Sequence, residues 1–208
     1  MLNEYWSRLV PERPEFQFHV VDGDEILARA RSIPVRWDGT VDGLPDGIDG
    51  AIARGFDEGD ANVLCALVIM VPRGLQGRGA SRLALEGMTA IAHDHDLGAL
   101  IAPVRPNWKE RYPLTPIERY AEWRRDDGLT FDPWMRVHER LGAEVVKPEP
   151  RSLGIEGTVA EWEEWTAMSF PETGEYVFPG GLATVAIDRE QDVGRYWEPN
   201  VWMCHSVS

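Results

Sequence analysis

The chain has 208 residues, of which 43% are hydrophobic and 27% are charged, and this composition is typical of one globular domain with a sizeable core. The formal net charge of −14 at pH 7 argues against nucleic acid as a partner, because such binding depends on lysine and arginine neutralising phosphates. An anionic membrane surface is disfavoured on the same ground. The longest apolar run, residues 63–71, is also far shorter than the roughly 20 residues of a membrane-spanning helix.

The positions of the two cysteines indicate a reducing cellular compartment. Cys65 lies inside the apolar run and Cys204 lies near the C-terminus, and their spacing fits neither a disulfide framework nor a zinc site. The first residues contain no apolar segment typical of a secretion signal. We therefore expect a soluble, cytoplasmic protein that binds no metal.

The first regular elements predicted along the chain are two antiparallel strands. Residues 16–21 read FQFHVV, Asp22-Gly23 is a typical hairpin turn, and small or apolar side chains then alternate with charged ones. Residues 38–50 form a loop rich in glycine, aspartate and proline, and residues 48–56 are predicted as a short helix.

A buried strand, VLCALVIMV at residues 63–71, leads through the glycine-rich segment PRGLQGRGAS into a helix predicted over residues 81–95. A second strand, ALIAPV, follows at residues 99–104. Strand, helix and strand of these lengths form a crossover that places the two strands parallel. The main-chain N–H groups at the start of this helix would converge at the positive end of its dipole, which favours an anion.

The glycine-rich segment is basic in an otherwise acidic chain, since three arginines and no acidic residue lie between Asp60 and Glu86. It is not a P-loop, because no Gly-Lys-Ser/Thr follows. Gly77-Arg78-Gly79 also lacks the third glycine of the dinucleotide-binding fingerprint. A glycine turn that binds nothing remains the alternative to an anion site.

The segment Gln76-Gly77-Arg78-Gly79-Ala80-Ser81 resembles the acyl-CoA pyrophosphate loop, Gln/Arg-x-x-Gly-x-Gly/Ala, of the GNAT N-acetyltransferase superfamily. The resemblance implies an α/β (mixed α+β) fold over residues 1–208, with a central mixed, largely antiparallel sheet, a splayed parallel strand pair and helices on both faces. It also implies acetyl-CoA or another acyl-CoA as co-substrate, with its pantetheine arm between the splayed strands. The implied cofactor-binding residues are Met70, Val71, Gln76, Gly77, Arg78, Gly79, Ala80, Ser81 and Asn107.

Residues 105–134 contain six aromatic residues interleaved with six lysines and arginines. Acidic residues in the same segment cancel most of the charge, so a single-stranded nucleic acid is not the expected ligand. Compared with the GNAT pattern, residues 105–131 resemble an insertion beside the acceptor site. Such an insertion can act as a lid, or its aromatic residues can simply pack it onto the body of the protein.

A helix is predicted after Asp132, an expected N-cap, with Pro133 in its first turn and Gly142 at its end. Helical spacing turns His138 inward. The run from His138 to Ala143 resembles the GNAT pattern Tyr-x-x-x-Gly-Phe, with histidine in the place of the tyrosine. This resemblance implies that His138 is the catalytic acid that protonates the departing thiolate. A packed core histidine is the alternative.

The C-terminal third is predicted to contain extended segments, AEVVKP and SLGIEGT, and a helix that starts with a capping box of Thr158 and Glu161. Trp162, Trp165 and Met168 form a stripe on that helix that we expect in the core. A loop at residues 170–181 and a final hairpin complete the chain. The phrases YPLTPIERY, FDPW and EPNVWM resemble a bacterial subgroup of GNAT-like proteins.

The resemblance implies an N-acyltransferase that moves an acetyl or other short acyl group from acyl-CoA to a small-molecule amine by direct attack on the thioester. Residues 66–71 carry no ionisable side chain, so the family's usual base is missing. A non-catalytic acyl-CoA sensor and an acyl-CoA hydrolase or decarboxylase remain alternatives, and a homodimer is left open. Substitutes for the base are a water chain or one of Glu118, Asp132, Glu175, Glu198 and His205.

Overall fold

A computed structural model of the chain describes residues 4–207, so residues 1–3 and 208 of the predicted domain lie outside the described residues. The strands in this range are β1 (Gln17–Asp22), β2 (Glu25–Val35), β3 (Val63–Met70), β4 (Ala99–Val104), β5 (Glu144–Gly157), β6 (Gly174–Tyr176), β7 (Val185–Asp188) and β8 (Val193–Ser206). The helices are α1 (Leu9–Glu12), α2 (Gly47–Asp57), α3 (Ala80–Asp94), α4 (Ile117–Ala121), α5 (Pro133–Arg140) and α6 (Val159–Thr166). Short 3₁₀ segments occur at Glu4–Arg8, Pro14–Phe16, Arg73–Leu75 and Lys109–Arg111.

The described strands form one mixed sheet. Its order is β1-β2-β3-β4-β8, and β7 and β6 extend it from the start of β8. β5 pairs along almost the whole of β8. Among these pairs, β3 with β4 is parallel and the others are antiparallel. The mixed, largely antiparallel sheet implied by the GNAT resemblance is therefore confirmed.

The local elements around the glycine-rich segment follow the sequence pattern. β1 and β2 form the predicted hairpin, although Asp22 pairs with Glu25, so Gly23 and Asp24 occupy the turn rather than Asp22-Gly23. β3, α3 and β4 form the predicted crossover with parallel strands. The expected loop at residues 38–50 ends earlier than predicted, because α2 already begins at Gly47.

Alternating side chains of the central strands face two hydrophobic layers. Leu64 and Leu100 belong to the layer that contains the buried face of α3. Cys65 and Ile101, one residue further along each strand, belong to the layer that contains α2. Helices therefore cover both faces of the sheet, and this explains why β3 and β4 are apolar at nearly every position.

Three predictions for the C-terminal third need correction. Of the predicted core stripe, Trp162 is buried, Trp165 is 53% exposed, and Met168 lies beyond the end of α6 and packs only partly buried against the same cluster. The predicted loop at residues 170–181 contains strand β6, which pairs with β7. The two predicted extended segments are one strand, β5, whose register shifts at Glu149/Leu153 accommodate the residues between them.

Aromatic rings pack the segment 105–131 together. The Trp123 ring lies 5.0 Å from the Tyr112 ring, 5.1 Å from the Tyr120 ring and 5.5 Å from the Phe131 ring, measured between centroids. Tyr120 is fully buried in the same layer as α3. These contacts favour a segment packed onto the body over a free lid.

Candidate active site

The glycine-rich segment leads into the N-terminus of helix α3, which has no side-chain cap. Gly77 and Gly79 have φ angles of +80° and +81°, a backbone region that residues with a Cβ atom adopt only at a cost. Gly79 directly precedes α3, and no side chain caps this helix. The first N–H groups of α3 therefore have no partner within the helix and lie at the positive end of its dipole.

The arginines of this segment differ in their surroundings. Arg73 lines the adjacent cavity. Arg78 forms an ion pair with Glu25 of the β2 hairpin at 3.2 Å, and Arg82 pairs with Glu86 at 2.8 Å. The basic character seen in the sequence is thus reduced by Glu25, which is distant along the chain but close in the fold.

A cavity of about 1120 Å³ opens in front of this helix N-terminus. Four arginines and a single acidic residue, Glu110, line it, so its field favours an anion although the whole chain is acidic. Arg78 and Gly79 are not among its lining residues, and Gly79 instead lines a neighbouring hollow. Of the sequence-predicted cofactor residues, those that line the cavity are Met70, Val71, Gln76, Gly77, Ala80, Ser81 and Asn107.

The parallel strands separate beside this cavity. β3 and β4 pair at Leu64 with Leu100 and at Cys65 with Ile101, and no further pairing follows in the described residues. A smaller cavity of about 330 Å³ occupies the opening, between residues 66–70 and residues 102–105. It shares Ile69, Met70, Arg105, Asn107 and Trp134 with the larger cavity, so the two cavities are adjacent.

His138 of α5 lies at the smaller cavity and is only 2% exposed. Its Nδ1 atom lies 2.9 Å from Nε2 of His205 on β8, and its Nε2 atom has no hydrogen-bond partner. The Trp134 ring packs edge-on against it with centroids 4.6 Å apart. Burial, and to a smaller extent the neighbouring His205, lower the pKa of His138 to about 3, so this imidazole is neutral at pH 7.

The candidate bases are distributed unevenly. Glu198 lines the smaller cavity and pairs with Arg105 at 2.8 Å, with its side chain 14% exposed. His205 contacts His138. Glu118 and Glu175 are exposed and line neither cavity. The fold therefore brings Glu198 and His205 to the candidate site and leaves those two carboxylates outside it.

Asp132 is buried, and both of its carboxylate oxygens accept hydrogen bonds. One carboxylate oxygen accepts hydrogen bonds from the main-chain N–H groups of Trp134 and Met135, which confirms it as the N-cap of α5. The other accepts hydrogen bonds from the Trp108 N–H group and the Tyr120 hydroxyl. Asp132 thus ties the aromatic segment to α5 and has no free oxygen for a proton transfer.

Sequence reasoning missed two contributors to the larger cavity, Ile26 and Arg29 of β2. The sequence does contain one sign of this position, because Arg29 stands between Ala28 and Ala30, which are both buried, and is itself exposed. That alternation shows that Arg29 faces away from the core, but only the pairing of Arg29 with Met70 places it beside the end of β3.

No protein-family model matches the chain. A curated relative, arginine N-acetyltransferase avaD of Aspergillus versicolor, is 29% identical over 237 aligned residues, which cover 98% of this chain and 81% of the relative. The solved loading GNATL domain of CurA from Lyngbya majuscula superposes with a TM-score of 0.65 at 17% identity, covering 100% of this chain and 84% of that one. The GphF GNAT-like decarboxylase, solved in complex with isobutyryl-CoA, gives a TM-score of 0.61 at 15% identity, covering 97% and 83%.

The chain is thus similar to an N-acetyltransferase in sequence and to GNAT-like domains in fold. It combines the splayed strands with the glycine loop on which the sequence resemblance rested. It has His138 where the sequence pattern has tyrosine, and residues 66–71 next to the cavities carry no ionisable group. Within residues 4–207, no helix has the length and apolar character needed to span a membrane, and no cluster of three or more acidic, histidine or cysteine side chains is arranged to hold a metal.

Proposed function

We propose that this protein is a GNAT acyltransferase and transfers an acetyl or other short acyl group from acyl-CoA to a small amine. The observation that carries the proposal is that the two cavities are adjacent and share part of their lining. A helix N-terminus with unpaired N–H groups lies at one end, and a buried, unpartnered imidazole nitrogen lies at the other. An anionic carrier fits the first end and an acyl-transfer reaction fits the second.

For the acyl-CoA, we assign the pyrophosphate to the start of α3. Main-chain N–H groups around Gly77, Ala80 and Ser81 would donate to it, and Gly79, at the neighbouring hollow, has open space where a Cβ atom would lie. Arg29 and Arg73 supply positive charge within the same cavity. Gln76 and Asn107, also predicted from the sequence, lie along its walls.

The thioester is assigned to the opening between β3 and β4. Past Cys65 the main-chain groups of β3 that point towards β4 have no ladder partner, because β4 diverges. An N–H group there is free to donate to the oxyanion that forms on the thioester carbonyl during attack. Met70 and Val71, at the end of this strand, line the path towards the helix.

The acceptor is assigned to the smaller cavity. Arg105 and Glu198 place one guanidinium and one carboxylate there, a pair of charges complementary to an amino acid, which has both an ammonium and a carboxylate. The curated relative is named as an arginine N-acetyltransferase, so L-arginine is the first acceptor to test. We further propose one GNAT-like domain whose inserted segment, residues 105–131, supplies Arg105, Asn107 and Trp108 to these walls.

Acyl-CoA binding is tested at Gly79. Gly79→Asp places a negative charge at the start of α3, and we expect the affinity for acetyl-CoA to fall at least tenfold, or about 1.4 kcal/mol, by calorimetry. Gly79→Asn has nearly the same shape without the charge and tolerates positive φ, so it should lose less. Gly128→Asp, at another open glycine with φ +81°, controls for the added charge and the backbone strain. Unchanged binding in folded Gly79→Asp would remove the assignment.

Catalysis is tested by following the release of free CoA thiol from acetyl-CoA with and without added amines, starting with L-arginine. Release that depends on an amine supports the acyltransferase. Release without any amine would instead indicate a hydrolase. Tight binding with no release under either condition would indicate a sensing module.

A further inference from the structure

The rings of His138 and His205 form a buried pair, and the surroundings of each ring nitrogen favour one arrangement of their protons. His138 is 2% exposed and His205 is 3% exposed, and their rings are tilted with centroids 5.1 Å apart. The main chain of Leu141 raises the pKa of His205, as a carbonyl does when it accepts a proton from an imidazole, and since Nε2 faces His138, Nδ1 is the nitrogen left for this interaction. This favours a proton on Nδ1 of His205.

The remaining protons follow by counting. A neutral imidazole carries one N–H, so His205 with its proton on Nδ1 offers a lone pair at Nε2. The 2.9 Å contact then requires the proton of His138 to be on Nδ1, as the donor. Nε2 of His138 is consequently a bare lone pair. It is also the buried atom without a partner, on the ring edge turned away from His205.

His138 is the member of the pair that lines the smaller cavity. Its Nε2 atom is buried and lies on the ring edge that His205 does not occupy, so it is the ring nitrogen left for a bound molecule. Burial keeps both rings neutral, because it lowers the pKa of His138 to about 3 and also lowers the pKa of His205, against the hydrogen bond to Leu141, which raises it. A neutral Nε2 without a hydrogen is a proton acceptor and cannot donate before it has accepted.

We propose that His205 is a positioning residue that fixes His138 in the Nδ1–H tautomer, and that Nε2 of His138 accepts the proton of the attacking amine. This inference rests on the proposed acyltransferase function. His138 thereby takes the role of the missing base as well as that of the acid implied by the sequence resemblance.

The proposed step balances with one shuttled proton. The nitrogen of a neutral amine forms the new C–N bond at the thioester carbon, and its surplus proton moves to Nε2 of His138. As the C–S bond breaks, the sulfur takes the bonding electron pair and receives that proton from Nε2. The products are the N-acylated amine and free CoA thiol, and His138 returns to its neutral state.

The tautomer can be measured without substrate. In protein labelled with ¹⁵N-histidine, two-bond ¹H–¹⁵N correlation spectra distinguish protonated from bare ring nitrogens, and loss of one ring pattern in His138→Gln assigns His138 among the five histidines. We expect His138 with Nδ1 protonated and Nε2 bare. A proton on Nε2 of His138 would overturn the inference, whether or not any amine proves to be an acceptor.

Variants of His205 test the catalytic consequence. His205→Phe removes the acceptor for the Nδ1 proton, and we expect kcat to fall ~10-fold or more while the KM for acetyl-CoA stays within ~2-fold. His205→Gln can offer its amide oxygen to the same proton and should recover part of kcat. Equal kcat in all three proteins, or a loss in His205→Gln as large as in His205→Phe, would refute the positioning role.

Discussion

The neutral state of His138 predicts a measurable weakness of the fold in acid. Its folded pKa is about 3, whereas an unperturbed histidine titrates near pH ~6.5. Between these values the unfolded chain takes up a proton that the folded protein cannot accommodate. Stability contributed at this position is therefore complete above the unfolded pKa and is lost as the pH falls from about 6.5 towards 3.

The size of the effect follows from the two pKa values. Within this window, uptake of one extra proton on unfolding lowers stability by about 1.4 kcal/mol per pH unit. From about pH 6 to about pH 4 the wild type should thus lose about 2.5 kcal/mol more than His138→Gln, in which no imidazole can be protonated. Denaturant unfolding of both proteins at several pH values gives this difference directly.

Subtracting one protein from the other cancels the acid response of the carboxylates they share. His93→Gln, in which an exposed histidine at the end of α3 is replaced in the same way, supplies the baseline. A difference in unfolding free energy between wild type and His138→Gln that stays constant from pH 6 to pH 4 would show that burial does not keep His138 neutral. The proposal that both rings of the histidine pair are neutral would then be contradicted.

Two further predictions concern the frame around the site. In Gly47→Ala the new Cβ would lie 2.2 Å from the Ser152 Cα atom, and φ is +65° there, so we expect about 3–5 kcal/mol of destabilisation by denaturant unfolding. In Thr158→Ala the capping box with Glu161 is lost, and we expect a cost of about 0.5–2 kcal/mol, whereas Thr158→Ser should retain most of the stability. If Gly47→Ala has the same free energy of unfolding as the wild type, the close contact with Ser152 is contradicted. If Thr158→Ala and Thr158→Ser lose equal stability, the role of the capping hydroxyl is contradicted.

The sequence was sufficient for the elements whose signals are local. The apolar run of β3, the glycines before α3 and the Asp132 cap depend on neighbours within a few residues, and the structure confirms each of them. The parallel crossover was also predictable, because a helix of this length between two short strands has one favoured topology. Trp165 shows the limit, since helical spacing gives a face but not how far the sheet beneath it extends.

The chemistry of the candidate site depended on pairs that are distant along the chain. No local pattern relates Glu25 to Arg78, yet the β2 hairpin brings them into contact and reduces the charge of the loop. Glu198 was one of five side chains that the sequence offered as the base, and the pairing of β8 with β4 places it beside Arg105.

The clearest case is His138. The sequence determined that it lies on a helix and faces inward, because helical periodicity needs only the residues around it. Which of its nitrogens carries the proton is decided by His205, which lies 67 residues further on and on the sheet rather than on the helix. A tautomer depends on the partner of each ring nitrogen, and that partner exists only once β8 has paired with β4 and β5.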